Sequence, residues 1–322
     1  MIVLNNINNN NINNINGILN LNKPAGCSSH DMVYFIRRLF GVKKVGHTGT
    51  LDPMATGVLP ILIGSATKLS DLLLNHDKTY RAVLKLGIST DTMDITGKII
   101  KSVDETLLPK FDEVKKAAES FTGEIEQIPP VYSAIKINGK KLYEYARNGI
   151  EIKPEPRKVN IYSITCEKTE KFDEYILNIN CSKGTYIRSI CHDIGEKLSC
   201  GGVMASLERI RTGNFDISNS FTPEKLEKYK TERGIEYLIS LLISCENILK
   251  SITEKKINLS EFYSKLAKNG AEIYIHKTEN QRFSDFFIGD KVMMYDYNNI
   301  LFALGEIKNY DNGLACKPVV FL

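Results

Sequence analysis

One carboxylate sits in a run of small residues, Gly46-His47-Thr48-Gly49-Thr50-Leu51-Asp52-Pro53-Met54-Ala55-Thr56-Gly57. The glycines at 46, 49 and 57 permit backbone angles and close approaches that other residues resist. Pro53 disfavours helix at Asp52, which places the carboxylate on an extended or turned backbone. Thr48, Thr50 and Thr56 are spaced to hydrogen-bond that backbone locally. The apolar run Val58-Leu59-Pro60-Ile61-Leu62-Ile63 follows. The loop therefore reads as a side chain presented beside a rigid strand, fit for work on a developing cation or an electrophile. The same residues also make an ordinary turn with an Asx cap. Spacing alone leaves both readings open.

The segment resembles the signature loop of the TruB family of tRNA pseudouridine synthases, in which the Asp is catalytic. Further motifs follow the family's order. They are Gly17-Ile18-Leu19-Asn20-Leu21-Asn22-Lys23-Pro24-Ala25-Gly26, Ala66-Thr67-Lys68, Lys78-Thr79-Tyr80-Arg81-Ala82 and Thr90-Asp91-Thr92-Met93-Asp94. Downstream stand Pro129-Pro130-Val131-Tyr132-Ser133-Ala134-Ile135-Lys136, Leu142-Tyr143-Glu144-Tyr145-Ala146-Arg147 and Cys181-Ser182-Lys183-Gly184-Thr185-Tyr186-Ile187-Arg188-Ser189. The resemblance runs from Gly17 to Phe215 and weakens beyond. Val203 stands where many members carry His, Glu208 where a basic residue is usual, and Ser28 replaces a common Thr. These departures bear on local RNA contacts and not on Asp52.

The resemblance implies isomerisation of uridine to pseudouridine at position 55 in the T-loop of tRNA. The N-glycosidic bond breaks, the uracil rotates, and a C5 bond replaces it. Such a reaction needs no redox or group-donating cofactor, and neither a phosphate loop nor a dinucleotide fingerprint is present. Asp52 would be the catalytic carboxylate; which atom it attacks is open. Arg188 is implied as its partner, countering the upward drift that burial imposes on a carboxyl. Asp94 would hold Arg188. Tyr80 is implied as the residue that stacks on the uracil or accepts the C5 proton. His47 would fill the space left by the flipped base, Leu207 would pack on it, and Lys23 would act as a structural or substrate-positioning residue. Each also has a plainer reading: Arg188 a helix-start surface cation, Asp94 a turn residue, Tyr80 and Leu207 core residues. Lys43, Lys44, Lys68, Lys136, Lys140, Lys141, Arg147 and Arg209 are candidate phosphate contacts. The rival readings are a pseudouridine synthase with a different RNA target and a non-catalytic RNA-binding or tRNA-folding protein using the same cleft.

The chain's 42 Lys and Arg against 38 Asp and Glu leave a net charge of +4, which permits a nucleic-acid partner without requiring one. Cys27, Cys166, Cys181, Cys191, Cys200, Cys245 and Cys316 are scattered. An odd count with no Cys-x-x-Cys pair argues against a disulfide framework and for a reducing, cytoplasmic setting. No four-ligand zinc spacing appears, so no metal is expected. No apolar run reaches membrane-spanning length. The Asn-rich stretch 1–16 reads as a flexible extension without the features of a signal peptide. The expected partner is the T-arm of tRNA, and the expected state is a monomer.

The elements that must carry these residues mix helix and strand without parallel-sheet alternation, so the class is α+β. The resemblance implies the pseudouridine synthase fold, a mixed, mainly antiparallel sheet with flanking helices and a central cleft. Periodicity predicts helices at 28–40, 111–121, 140–148, 187–198 and throughout 224–249. It predicts strands at 79–86, 158–167, 175–181, 203–210, 287–295 and 300–307. Arg37, Arg38, Lys43 and Lys44 then form a basic cluster before the Asp loop. The polar connection at 250–256 divides a catalytic domain, 17–250, from a small domain, 251–322, that resembles the PUA-like domain of bacterial TruB proteins.

Overall fold

The computed structural model describes residues 15–133, 135–137, 139–150, 152, 154–277 and 285–322. Most of the Asn-rich stretch, Ala134 and Asn138 lie outside these. Ile15 and Asn16, assigned above to a flexible extension, both contact the body of the chain. Ile15 is buried, and the Ser65 N–H donates to Asn16 Oδ1 over 2.6 Å.

The first half of the chain runs β1 (Gly17–Lys23), α1 (Ser29–Phe40), β2 (Val45–His47), β3 (Thr56–Ile63), α2 (Ser70–Leu74), β4 (Lys78–Leu86), β5 (Ile88–Thr90), β6 (Ile99–Ser102), α3 (Phe111–Glu119) and β7 (Gly123–Gln127). Then come β8 (Lys136–Ile137), β9 (Lys140–Lys141), α4 (Leu142–Arg147), β10 (Arg157–Lys168), β11 (Glu174–Cys181), α5 (Ile187–Lys197), β12 (Gly202–Thr212) and β13 (Phe215–Asp216). The described residues form a nine-stranded sheet in the order β1-β3-β12-β4-β11-β10-β7, with β2 on β3 and β13 on β12. Its pairings are antiparallel except β3 with β12. This is the mainly antiparallel α+β sheet expected. α5 packs on β12 and α3 on β10.

Residue chemistry sets the ends of α1. Ser28 and Asp31 form a capping box, and Gly41 closes the helix in the left-handed region. β3 is buried on both faces, and period two explains how. Leu59, Ile61 and Ile63 enter the main core with Leu19, Leu21, Ile36, Leu84 and Ile190. Val58 and Leu62 point the other way, into a second core with Ile18 and Leu249. A strand buried on both faces is a firm base for the loop that precedes it.

The remainder comprises α6 (Pro223–Ser240), α7 (Cys245–Lys250), β14 (Lys256–Asn258), α8 (Glu261–Lys268), β15 (Ile273–Tyr274), β16 (Lys291–Tyr295), β17 (Leu301–Tyr310) and β18 (Gly313–Phe321). The stretch expected to be helical, 224–249, is helical in two pieces. Gly234 takes φ 82° and ψ 178°, and α6 ends before α7 begins under a Ser244 cap. The strand expected from 287 starts at Lys291. Gly289 at φ 93° turns the chain there, and the Asp290 carboxylate accepts from the Phe287 N–H. The turn expected at Asn298-Asn299 is present, with Asp296 Oδ1 accepting from the Asn298 and Ile300 N–H groups. A five-stranded sheet, β14-β16-β17-β18-β15, carries its own core of Ile257, Val292, Met294 and Ile307. Met293 and Leu304 from that sheet join the second core beneath β3.

Candidate active site

Asp52 lies between β2 and β3, and three anchors hold its backbone. Ser29 Oγ accepts from the Leu51 N–H at 2.8 Å and donates to the Leu51 carbonyl at 3.2 Å. Lys23, fully buried, donates from Nζ to the carbonyls of Pro24 at 2.8 Å, Pro53 at 3.2 Å and Ala55 at 2.7 Å. The Gly26 N–H donates to the Pro53 carbonyl at 2.9 Å. With residues 51, 53 and 55 tied down, the Asp52 side chain is the part left to face the cleft. Thr56, expected to bond locally, instead donates to the Leu207 carbonyl at 3.4 Å and ties the loop to β12.

The cleft has a volume of about 1070 Å³, and Asp52, Tyr80, Asp94, Arg188 and His47 all line it. Arg188, at the start of α5, is 5% exposed and Asp52 33%. Its Nη2 donates to Asp52 Oδ1 at 3.2 Å, and its Nε lies 2.9 Å from Oδ2. The same guanidinium donates to the carbonyls of Tyr132 at 2.9 Å and Thr92 at 3.3 Å. Asp94 stands 3.8 Å away on the far side. Its Oδ1 accepts from the Thr92 and Thr96 hydroxyls and the Thr96 N–H. One buried cation thus faces two carboxylates on the cleft lining, Asp52 the more exposed and Asp94 the more buried. Burial raises the Asp52 carboxyl above its ordinary value, Arg188 pulls it down, and Asp94 adds to the rise. The net direction is upward.

The floor comes from paired strands. Tyr80 on β4 is the register partner of Arg209 on β12. Arg209, expected above as a phosphate contact, is 1% exposed. Its guanidinium donates to the Val58 carbonyl at 2.7 Å and the Gly49 carbonyl at 3.3 Å. It is a buried brace between the Asp loop and the sheet. Burial pushes the Tyr80 phenol up, and Arg209 beside it works in the opposite direction. His47 on β2 is half-buried, and burial followed by the Arg209 charge lowers its imidazole. His47 and Tyr80 thus share the cleft lining with an anchored carboxylate, each shifted away from its charged form. Such a set can stabilise or trap a cationic carbon and hold a planar ring.

Other expected residues fall elsewhere. Lys23 sits behind the loop rather than on the cleft wall, with its ammonium taken up by carbonyls. Leu207 is 7% exposed within the main core. Lys43, Lys44 and Lys68 are exposed. The side chains of Lys136 and Arg147 lie outside the described residues. Lys78 and Tyr186 also line the cleft, and neither had a role assigned from sequence. Lys78 was findable, since it shares a strand face with Tyr80 two positions on. Among the described residues, no group of three His, Cys, Asp or Glu is placed to hold a metal ion.

The TruB family pseudouridylate synthase N-terminal domain matches residues 37–187, and the tRNA pseudouridylate synthase B C-terminal domain matches residues 188–250. The chain is similar to the tRNA pseudouridine synthase B of Clostridium tetani, at 47% identity over 80% of this chain and 85% of that one. It is 43% identical to the protein of the same name from Clostridium perfringens, over 90% of this chain and 94% of that one. A chain in the crystal structure of a Cbf5-Nop10-Gar1 complex matches with a TM-score of 0.65 at 26% identity, covering 95% of this chain and 84% of that chain.

Proposed function

Since the chain belongs to the TruB family of pseudouridylate synthases, we propose that it isomerises uridine 55 in the T-loop of tRNA with Asp52 as the catalytic carboxylate. The observation that carries the assignment is the Asp52–Arg188 contact on the cleft wall, 2.9 and 3.2 Å at the two carboxylate oxygens. In this reading the N1–C1′ bond of the flipped uridine breaks, and Asp52 stabilises or captures the electron-poor partner. The uracil rotates, C5 bonds to C1′, C5 loses its proton and N1 gains one. The atoms balance without a co-reactant.

Arg188 fixes the carboxylate's direction and opposes protonation. Asp94 holds Arg188 from behind, so the guanidinium keeps its place when substrate enters. Tyr80 supports the uracil from the floor. For Tyr80 to take the C5 proton, the buried phenol must ionise, and Arg209 on the paired strand is the group that favours this. His47 takes up the space of the flipped base, and a neutral ring there costs little to desolvate. The proposal keeps the catalytic part at 17–250 and the small β part at 251–322, each with its own sheet. It also takes the protein to be a cytoplasmic monomer. All seven cysteines are free thiols, which supports a reducing compartment. No described helix is long and apolar enough to cross a membrane.

Mapping pseudouridines by base-resolved sequencing of a tRNA transcript after reaction tests the target. A single new pseudouridine at position 55 is expected. Modification confined to other positions would assign a different RNA target, and tight binding without modification would favour the binding-protein reading.

A further inference from the structure

α5 begins without a side-chain cap, although its second residue is Arg188. A helix start normally needs partners for its free N–H groups. Here the partner comes from a distant edge strand. Gln127, the last residue of β7, is 2% exposed. Its Oε1 accepts from the Tyr186 N–H at 2.7 Å, and its Nε2 donates to the Tyr186 carbonyl at 2.9 Å. The side-chain amide thus imitates a neighbouring strand and fixes both backbone groups of the residue that precedes α5. Two more bonds run in parallel. Ser189 Oγ donates to the Ile128 carbonyl at 2.9 Å, and Arg188 Nη2 to the Tyr132 carbonyl at 2.9 Å. Pro129 and Pro130 lie between these points and restrict the backbone there.

We propose that Gln127 is a positioning residue for Arg188: with the Ile128 and Tyr132 carbonyls it makes 127–132 a rail that holds the guanidinium in register with Asp52. The inference rests on the catalytic reading of Asp52 and Arg188. Gln127 is not on the cleft wall, so it acts through Arg188 and not on RNA. Arg188 is also the main group drawing the Asp52 carboxyl down. The charged groups facing Asp52 are Arg188 from α5, Asp94 from the loop after β5, and Lys23 from β1. Loosening the rail weakens the first of these, and the carboxyl rises further.

The test uses Gln127→Met, which keeps bulk and removes both amide bonds, and Ser189→Ala, a small change that removes one rail bond. Single-turnover rates on tRNA are measured against pH, with RNA affinity and unfolding measured in parallel. Gln127→Met should slow the reaction roughly 10- to 100-fold, as small misplacements of catalytic groups do. Its RNA affinity should stay within about two-fold of native, since no ground-state contact is lost. The acid limb of the pH profile should move to higher pH in both variants, less in Ser189→Ala. A variant that merely lost stability would leave that limb in place. If Gln127→Met does not fold, Ser189→Ala decides alone. Native rate and limb in the folded variants, or a loss carried by affinity, would overturn the rail while leaving the catalytic reading intact. An inactive native protein would overturn both.

Discussion

At the scale of single residues, the site depends on how buried charges are shared. Arg188 serves Asp52, Asp94 and two carbonyls with one planar fork. A lysine there offers one point charge and cannot serve all four. Arg188→Lys should lower the single-turnover rate roughly 100-fold or more, the scale of losing a preorganised electrostatic partner. It should also move the acid limb up, because in the proposed mechanism ionised Asp52 is the working form, and its carboxyl already lies above the ordinary 3.8. A native acid limb in that variant would show that Asp52 does not set it. Lys78 supports a stability test. Burial, and next the Arg209 charge, lower its ammonium from 10.5 to about 8. Below pH 8 both folded and unfolded chains carry the charge, and the folded state bears the full burial cost. Between about 8 and 10.5 the unfolded chain alone holds the proton, so this group makes stability rise with pH. Chemical unfolding of native protein and Lys78→Met across that range should show the native chain gaining on the variant. Parallel curves would contradict the shift.

At the scale of elements, the Asp loop is positioned by a close approach. Gly57, the second residue of β3, takes φ 102°, and a Cβ there would come 2.3 Å from the Arg209 carbonyl oxygen. Gly57→Ala should cost roughly 2–4 kcal/mol through strain and separation of β3 from β12. Unfolding in urea reads this directly, and a change under about 0.5 kcal/mol, the range of neutral surface substitutions, would contradict it. Much at this scale was legible in the sequence. The serines at 28 and 29 and the glycine at 41 bound α1 in the sequence, strand patterning marked β4, β10 and β11, and the glycines announced the tight approach at the loop. What was illegible is long-range. Nothing in local spacing tells that Lys23 spends its ammonium on carbonyls at 53 and 55, that Arg209 braces Gly49, or that Gln127 meets Tyr186. These are consequences of strand order, which local periodicity does not encode. The helical reading of 224–249 holds for most of the stretch, and its interruptions have a local cause. Gly234 is a helix breaker in the sequence itself, and it interrupts α6 with φ 82° and ψ 178°.

At the scale of the molecule, a net charge of +4 leaves RNA binding to local clusters rather than to a global field. Lys44, exposed just before β2, is a single member of one cluster. Lys44→Ala should weaken tRNA binding and reduce the slope of log affinity against log salt by about 1, with the chemical step unchanged. An unaltered slope would remove Lys44 from the interface. The small β-sheet shares the core beneath β3, where Met293 and Leu304 join Val58 and Leu62, so the strand that follows the Asp loop is packed on that face as well. All of this converges on one carboxylate. The most direct measurement is tritium release from tRNA labelled at uridine C5, by the native protein and by Asp52→Asn, which keeps size and removes the charge. The account expects release by the native protein and none by Asp52→Asn, with RNA binding retained. Release by Asp52→Asn at the native rate would contradict it.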